Sequence, residues 1–85
     1  ELIHFIPEDN MYVYFRRNDK ETVMVVLNGQ KKPQELKLRR FSVLIGDAEV
    51  GYDIISNRPL EMGVSIEVGP LQPLIIELGS GGSAE

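Results

Sequence analysis

The chain has 85 residues, with 9 Lys plus Arg against 13 Asp plus Glu and a formal charge of −4. Single cores typically run ~100 to 150 residues, so this length holds one domain and excludes a two-domain enzyme. The acidic balance offers no footprint for nucleic acid or an anionic membrane surface, and no apolar run approaches the ~18 residues of a transmembrane helix. Partners of both kinds are therefore not expected. Cysteine is absent, which removes disulfides, thiolate metal sites and a cysteine nucleophile. The sequence opens at Glu1 with neither a basic segment nor an apolar leader, and is expected to be a piece of something longer. Composition alone leaves localisation open.

Eight Val and eight Ile against two Ala favour strands, because β-branched side chains pack well on a pleated sheet while helices favour Ala. Leu2 to Ile6 alternates and is stopped by Pro7, which cannot donate into a ladder. Glu8-Asp9-Asn10 reads as a turn. Met11 to Arg17 puts Met11, Val13 and Phe15 on one face and Tyr12, Tyr14 and Arg16 on the other, the period of a half-buried strand. Asn18-Asp19-Lys20 turns the chain, and Thr22 to Leu27 follows as a nearly all-apolar run. The two strands should form an antiparallel hairpin whose second strand is central.

Asn28-Gly29 ends that strand, and a polar loop leads to Glu35–Leu38, where Leu36 and Leu38 should face inward. Phe41, Leu44 and Ile45 fall at the spacing of a short helical segment over Arg39 to Ile45. Gly46-Asp47 and Gly51 bracket Ala48 to Val50. Tyr52 to Ile55 reads as a strand cut off by Ser56-Asn57-Arg58-Pro59, with Asn57 suited to a hairpin turn. Val64, Ile66 and Val68 alternate, Gly69-Pro70 turns, and Leu74, Ile76 and Leu78 alternate again. About seven short strands at such spacing predict an all-β fold, an antiparallel Greek-key sandwich over residues 1–78. Residues 79–85 (GSGGSAE) carry no bulky apolar residue and read as a flexible Gly/Ser-rich tail.

Chemistry is mostly conspicuous by what it lacks. A Ser-His-acid site needs a base beside the hydroxyl, and the one histidine, His4, lies in a strand with no G-x-S-x-G turn elsewhere. One His and no Cys leave no zinc or EF-loop ligand spacing. Gly79, Gly81 and Ala84 formally fit a dinucleotide fingerprint, but no helix follows to present its N–H groups. Glu8 with Asp9, and Asp47 with Glu49, are adjacent acids in turn-like stretches, where solvation is the ordinary explanation. No catalytic, cofactor-binding or metal-binding residue is therefore assigned. Tyr12 and Tyr14 share one face and could form an aromatic platform for a sugar, against the plainer expectation of cross-strand packing. Arg39-Arg40 and Lys31-Lys32 read as solvated edges that discourage sheet-to-sheet aggregation.

The order of Leu2-Ile3-His4-Phe5-Ile6-Pro7, Tyr12-Val13-Tyr14-Phe15-Arg16, the strand closing on Asn28, Leu36-Lys37-Leu38-Arg39-Arg40-Phe41 and Gly51-Tyr52-Asp53-Ile54-Ile55 resembles the C-terminal β-domain of α-amylase-superfamily enzymes. The likeness is greatest to the cyclomaltodextrinase and neopullulanase branch of Bacteroides-type bacteria, and it covers Glu1 to Leu78. Such enzymes tend to have Thr-Gly where this chain has Ser56-Asn57. The resemblance implies a noncatalytic sandwich appended to a (β/α)₈ barrel that hydrolyses α-1,4 and α-1,6 glucans such as maltodextrins, cyclodextrins or pullulan. The partner it implies is that barrel, in the same parent chain. It also implies a periplasmic or extracytoplasmic location, and leaves α-glucan contact through Tyr12 and Tyr14 as the alternative role.

Overall fold

A computed structural model describes residues 1–46 and 48–78. The expected tail, residues 79–85, lies outside the described residues. Eight strands are found among them: β1 (Leu2–His4), β2 (Met11–Arg17), β3 (Thr22–Asn28), β4 (Gln34–Lys37), β5 (Val50–Asp53), β6 (Arg58–Glu61), β7 (Ser65–Val68) and β8 (Pro73–Leu78). A 3-10 turn at Arg39–Phe41 runs into a single helical turn, α1 (Ser42–Ile45). One antiparallel sheet has the order β1-β2-β3-β8-β5-β6, and a two-stranded sheet pairs β4 with β7. The all-β sandwich expected from the pattern is therefore present. β8 returns beside β5 after β5, β6 and β7 have run in succession, the strand order of a Greek key whose third strand lies on the other sheet.

Local chemistry sets the connections. Asp9 and Asn10 both have positive φ, 54° and 60°, and Met11 N–H donates to the Glu8 carbonyl at 2.8 Å. This is the two-residue turn whose twist matches a hairpin, and short polar side chains tolerate it best. Asn18 closes the next hairpin by accepting from the Lys20 and Glu21 N–H groups at 2.8 and 2.9 Å. β2 and β3 then pair along their full lengths, from Met11 opposite Asn28 to Arg17 opposite Thr22. β3 is central, as expected, because β8 takes its other edge.

The inward faces meet in one core. Phe15, Met24, Val26 and Ile76 of the large sheet pack against Leu38, Phe41, Ile66 and Val68. Fully burying each such side chain contributes about 1.5 to 3 kcal/mol. The small sheet is only two strands wide, and the 3-10 turn fills part of the gap beside it. There Phe41 stands edge-on to Phe5, with ring centroids 4.7 Å apart at 86°, and also meets Phe15.

One expectation needs correction. The pattern predicts a strand over Tyr52 to Ile55 stopped by Ser56 to Pro59, whereas β5 spans Val50–Asp53 and β6 occupies Arg58–Glu61. Asp53 starts the turn itself: its carboxylate accepts from Ile55 N–H at 3.1 Å and from Ser56 Oγ at 2.6 Å. Asn57, at φ 62°, then reverses the chain. Pro59 is accommodated because β6 is the sheet's last strand, where one missing donor costs no ladder bond. This additional strand makes the count eight.

Candidate functional site: the outward face of the large sheet

Alternation along β2 places Tyr12, Tyr14 and Arg16 on the side of the sheet away from the core, as the sequence indicated. The register extends that face across the neighbouring strands. His4 lies opposite Tyr14, Tyr14 opposite Val25, and Val25 opposite Ile75, which forms one continuous row. A second row joins Tyr12, Leu27 and Pro73. A third runs from Leu2 through Arg16, Val23 and Glu77 to Tyr52. Two of the three rows carry no charged side chain.

Among the described residues no second layer covers the face, yet Val25 at its centre is only 8% exposed. The His4 ring lies beside that of Tyr14, 5.4 Å away and tilted by 32°. The perimeter is open: Leu2, Ile6, Tyr12, Leu27 and Tyr52 are all exposed large apolar residues. The outward face of the small sheet has the opposite chemistry. It carries Glu35, Lys37, Ser65 and Glu67, with Ser65 Oγ donating to the Glu35 carboxylate at 2.7 Å.

This arrangement bears on the sugar platform. A sugar held by stacking also needs hydrogen-bonding groups around the ring to orient it. The register neighbours of Tyr12 and Tyr14 are Leu27, Val25 and His4, and the Tyr14 ring is already engaged by His4. Tyr52 lies outward three strands away on β5, where its hydroxyl donates to Asn57 Oδ1. The residues that sequence reasoning did not place on this face are Val23, Val25, Leu27 and Ile75. The available signal was the all-apolar run of β3, which puts apolar side chains on both faces of the sheet.

A second feature is an open groove of about 590 Å³ beside β4, lined by Glu8, Asp9, Gln34, Glu35, Lys37 and Arg40 among others. It holds one of the carboxylate pairs considered above. Glu8 forms a loose ion pair with Arg40 at 3.7 Å. The Asp9 carbonyl accepts from the side-chain amides of Gln30 and Gln34 at 2.7 and 3.0 Å. Arg40 is the organising group: it donates to the Ile6 carbonyl at 2.6 Å and lies 5.4 Å from the centroids of both Phe5 and Phe41. These contacts tie the segment between β1 and β2 to the 3-10 turn, which is a structural task. Among the described residues no group of three His, Asp or Glu is placed to hold a metal. Of the other acid pair, Asp47 lies outside the described residues.

The class defined by these features is a two-layer β-sandwich with one apolar outward face. The particular family follows from comparison. Residues 2–77 match the cyclo-malto-dextrinase C-terminal domain family, and the chain belongs to it. Among solved structures, an Anoxybacillus α-amylase matches with a TM-score of 0.74 at 16% identity over 99% of this chain and 19% of that one. The α-galactosidase I of Mortierella vinacea matches with a TM-score of 0.65 at 7% identity, over 96% of this chain and 24% of that one. The chain thus spans about a fifth to a quarter of the proteins whose fold it shares.

Proposed function

We propose that this chain is the noncatalytic C-terminal domain of an α-glucan-hydrolysing enzyme of the cyclomaltodextrinase, neopullulanase and α-amylase kind. Its task is to pack on the enzyme's catalytic (β/α)₈ barrel and stabilise it. The observation that carries this reading is the unequal pair of outward faces, because an apolar sheet face excludes water only when something covers it. Family membership supports the reading of a larger glucan-cleaving enzyme, and the two matched glycosidases are each several times longer than this chain. Packing within one polypeptide acts at high effective concentration, so even a modest interface contributes to stability. The location proposed with this reading is periplasmic or otherwise extracytoplasmic, and fractionation of the native host tests it.

The decisive assay follows hydrolysis of maltoheptaose, β-cyclodextrin and pullulan by this 85-residue chain and by the full-length enzyme. Release of reducing sugar by the full-length enzyme alone is the expected result. Turnover by the 85-residue chain contradicts the proposal.

A further inference from the structure

We infer that the surface seated on the barrel is the outward face of the six-stranded sheet, with Tyr14 and Val25 at the centre of contact and Arg16 and Glu77 at its rim. The inference rests on the reading that a barrel lies in the same polypeptide, and adds which of the two outward faces meets it. A sandwich free on both sides carries polar residues on both outward faces. Here the small sheet keeps that pattern and the large sheet does not.

On the small sheet Glu35 and Glu67 stand directly opposite one another. Like charges in that position repel and depend on water for screening, so burying them would be unfavourable. On the large sheet the row His4, Tyr14, Val25, Ile75 and the row Tyr12, Leu27, Pro73 offer apolar and aromatic side chains with no carboxylate or cation among them. Arg16 and Glu77 flank Val23 in the adjoining row and form no ion pair among the described residues. That is the layout of an interface core with a polar border on one side.

The size of the face selects the occupant. The two apolar rows run over β1, β2, β3 and β8, four strands that at about 4.8 Å spacing make a face roughly 14 Å wide, broader than a single extended peptide strand, and its polar atoms are limited to the Tyr12 and Tyr14 hydroxyls and the His4 ring. The matched glycosidase chains extend far beyond the portion this fold covers, which supplies a body of the required breadth. The barrel surface opposite should present aliphatic side chains, with charges only where Arg16 and Glu77 meet it.

Hydroxyl-radical footprinting of the full-length enzyme, compared with the 85-residue chain, tests this. Oxidation of Tyr12 and Leu27 should slow by about fivefold or more in the full-length enzyme, as expected when exposed apolar side chains enter an interface core. Val43 in α1 and Val64 just before β7 of the small sheet, both exposed and outside the large sheet, should react equally in both. Unchanged rates at Tyr12 and Leu27, or protection at Val43 and Val64 instead, overturns the inference. Equal protection of Tyr12 and Leu27 in the concentrated 85-residue chain also overturns it, by making the occupant a second copy. Two full-length variants separate this inference from the reading beneath it. Leu27→Lys should lower the melting temperature as removal of the whole domain does, while Glu67→Lys should not. If removal destabilises the enzyme and Leu27→Lys does not, the assignment of the face is wrong. If removal has no effect, the stabilising role itself is wrong.

Discussion

Asn28, the last residue of β3, donates its side-chain amide to the carbonyl of Val68, the last residue of β7, at 3.2 Å. The same amide reaches the carbonyls of Lys32 and Gly69, and Oδ1 accepts from Gln30 N–H and Gln34 Nε2. With the residue 2% exposed, this one side chain ties the two sheets and the loop between β3 and β4 together. Asn28→Ala would strand several buried polar groups, each costing about 1 to 3 kcal/mol when left unpaired. A loss of roughly 2 to 4 kcal/mol is expected in urea unfolding, and Asn28→Asp should be worse because a carboxylate would face three carbonyls. A loss below half a kcal/mol would show that the amide is dispensable.

Gly51 and Gly63 make a matched pair of tests. A Cβ at Gly51 would collide with Ile76 Cγ2 and come within 3.3 Å of Met62 Sδ, whereas one at Gly63 would meet nothing within 4 Å. Overpacking a closed core costs about 1 to 3 kcal/mol. Gly51→Ala should therefore lower stability by that amount in thermal melts, and Gly63→Ala should stay within about 0.5 kcal/mol of the parent. Equal effects would mean that β5 does not approach β8 as described.

The 3-10 turn is expected to be structural. Phe41 is 1% exposed and meets both Phe5 and Phe15, so Phe41→Ala should cost about 3 to 5 kcal/mol. Arg40→Ala removes the bond to Ile6 and the contacts with both rings, for about 1 to 2 kcal/mol. Glu8→Ala breaks only an exposed pair and should change stability by less than about 0.5 kcal/mol. Equilibrium denaturation of the three variants checks the order; a Glu8→Ala effect as large as that of Arg40→Ala would contradict it.

The tyrosine platform has its own test. Maltoheptaose or β-cyclodextrin titrated into the chain, followed by tyrosine fluorescence and amide shifts, should give no saturable change at Tyr12 or Tyr14. Saturable shifts clustered on them would make glucan binding a function of this domain in its own right.

Much of the fold was legible because β-branched residues, turn chemistry and alternation agree along most of the chain. β2 and the Asn18 turn follow directly from their residues. β6 did not, because Pro59 reads as a strand breaker while an edge position tolerates it, and Asp53 ends β5 through side-chain bonds that periodicity does not register. The outward face was half legible. Tyr12 and Tyr14 alternate with core residues, so their side is plain. In β3 and in Leu74 to Ile76 of β8, apolar residues occupy both sides, and no polar partner marks which ones point outward. Pairing register, a long-range property, was needed to align Val25 and Ile75 with Tyr14.

The most direct measurement is differential scanning calorimetry of the full-length enzyme beside a version ending before this domain. The shortened enzyme should melt several degrees lower while still cleaving maltodextrin at low temperature. Identical melting temperatures, or complete loss of low-temperature cleavage in a shortened enzyme that remains folded, would contradict it.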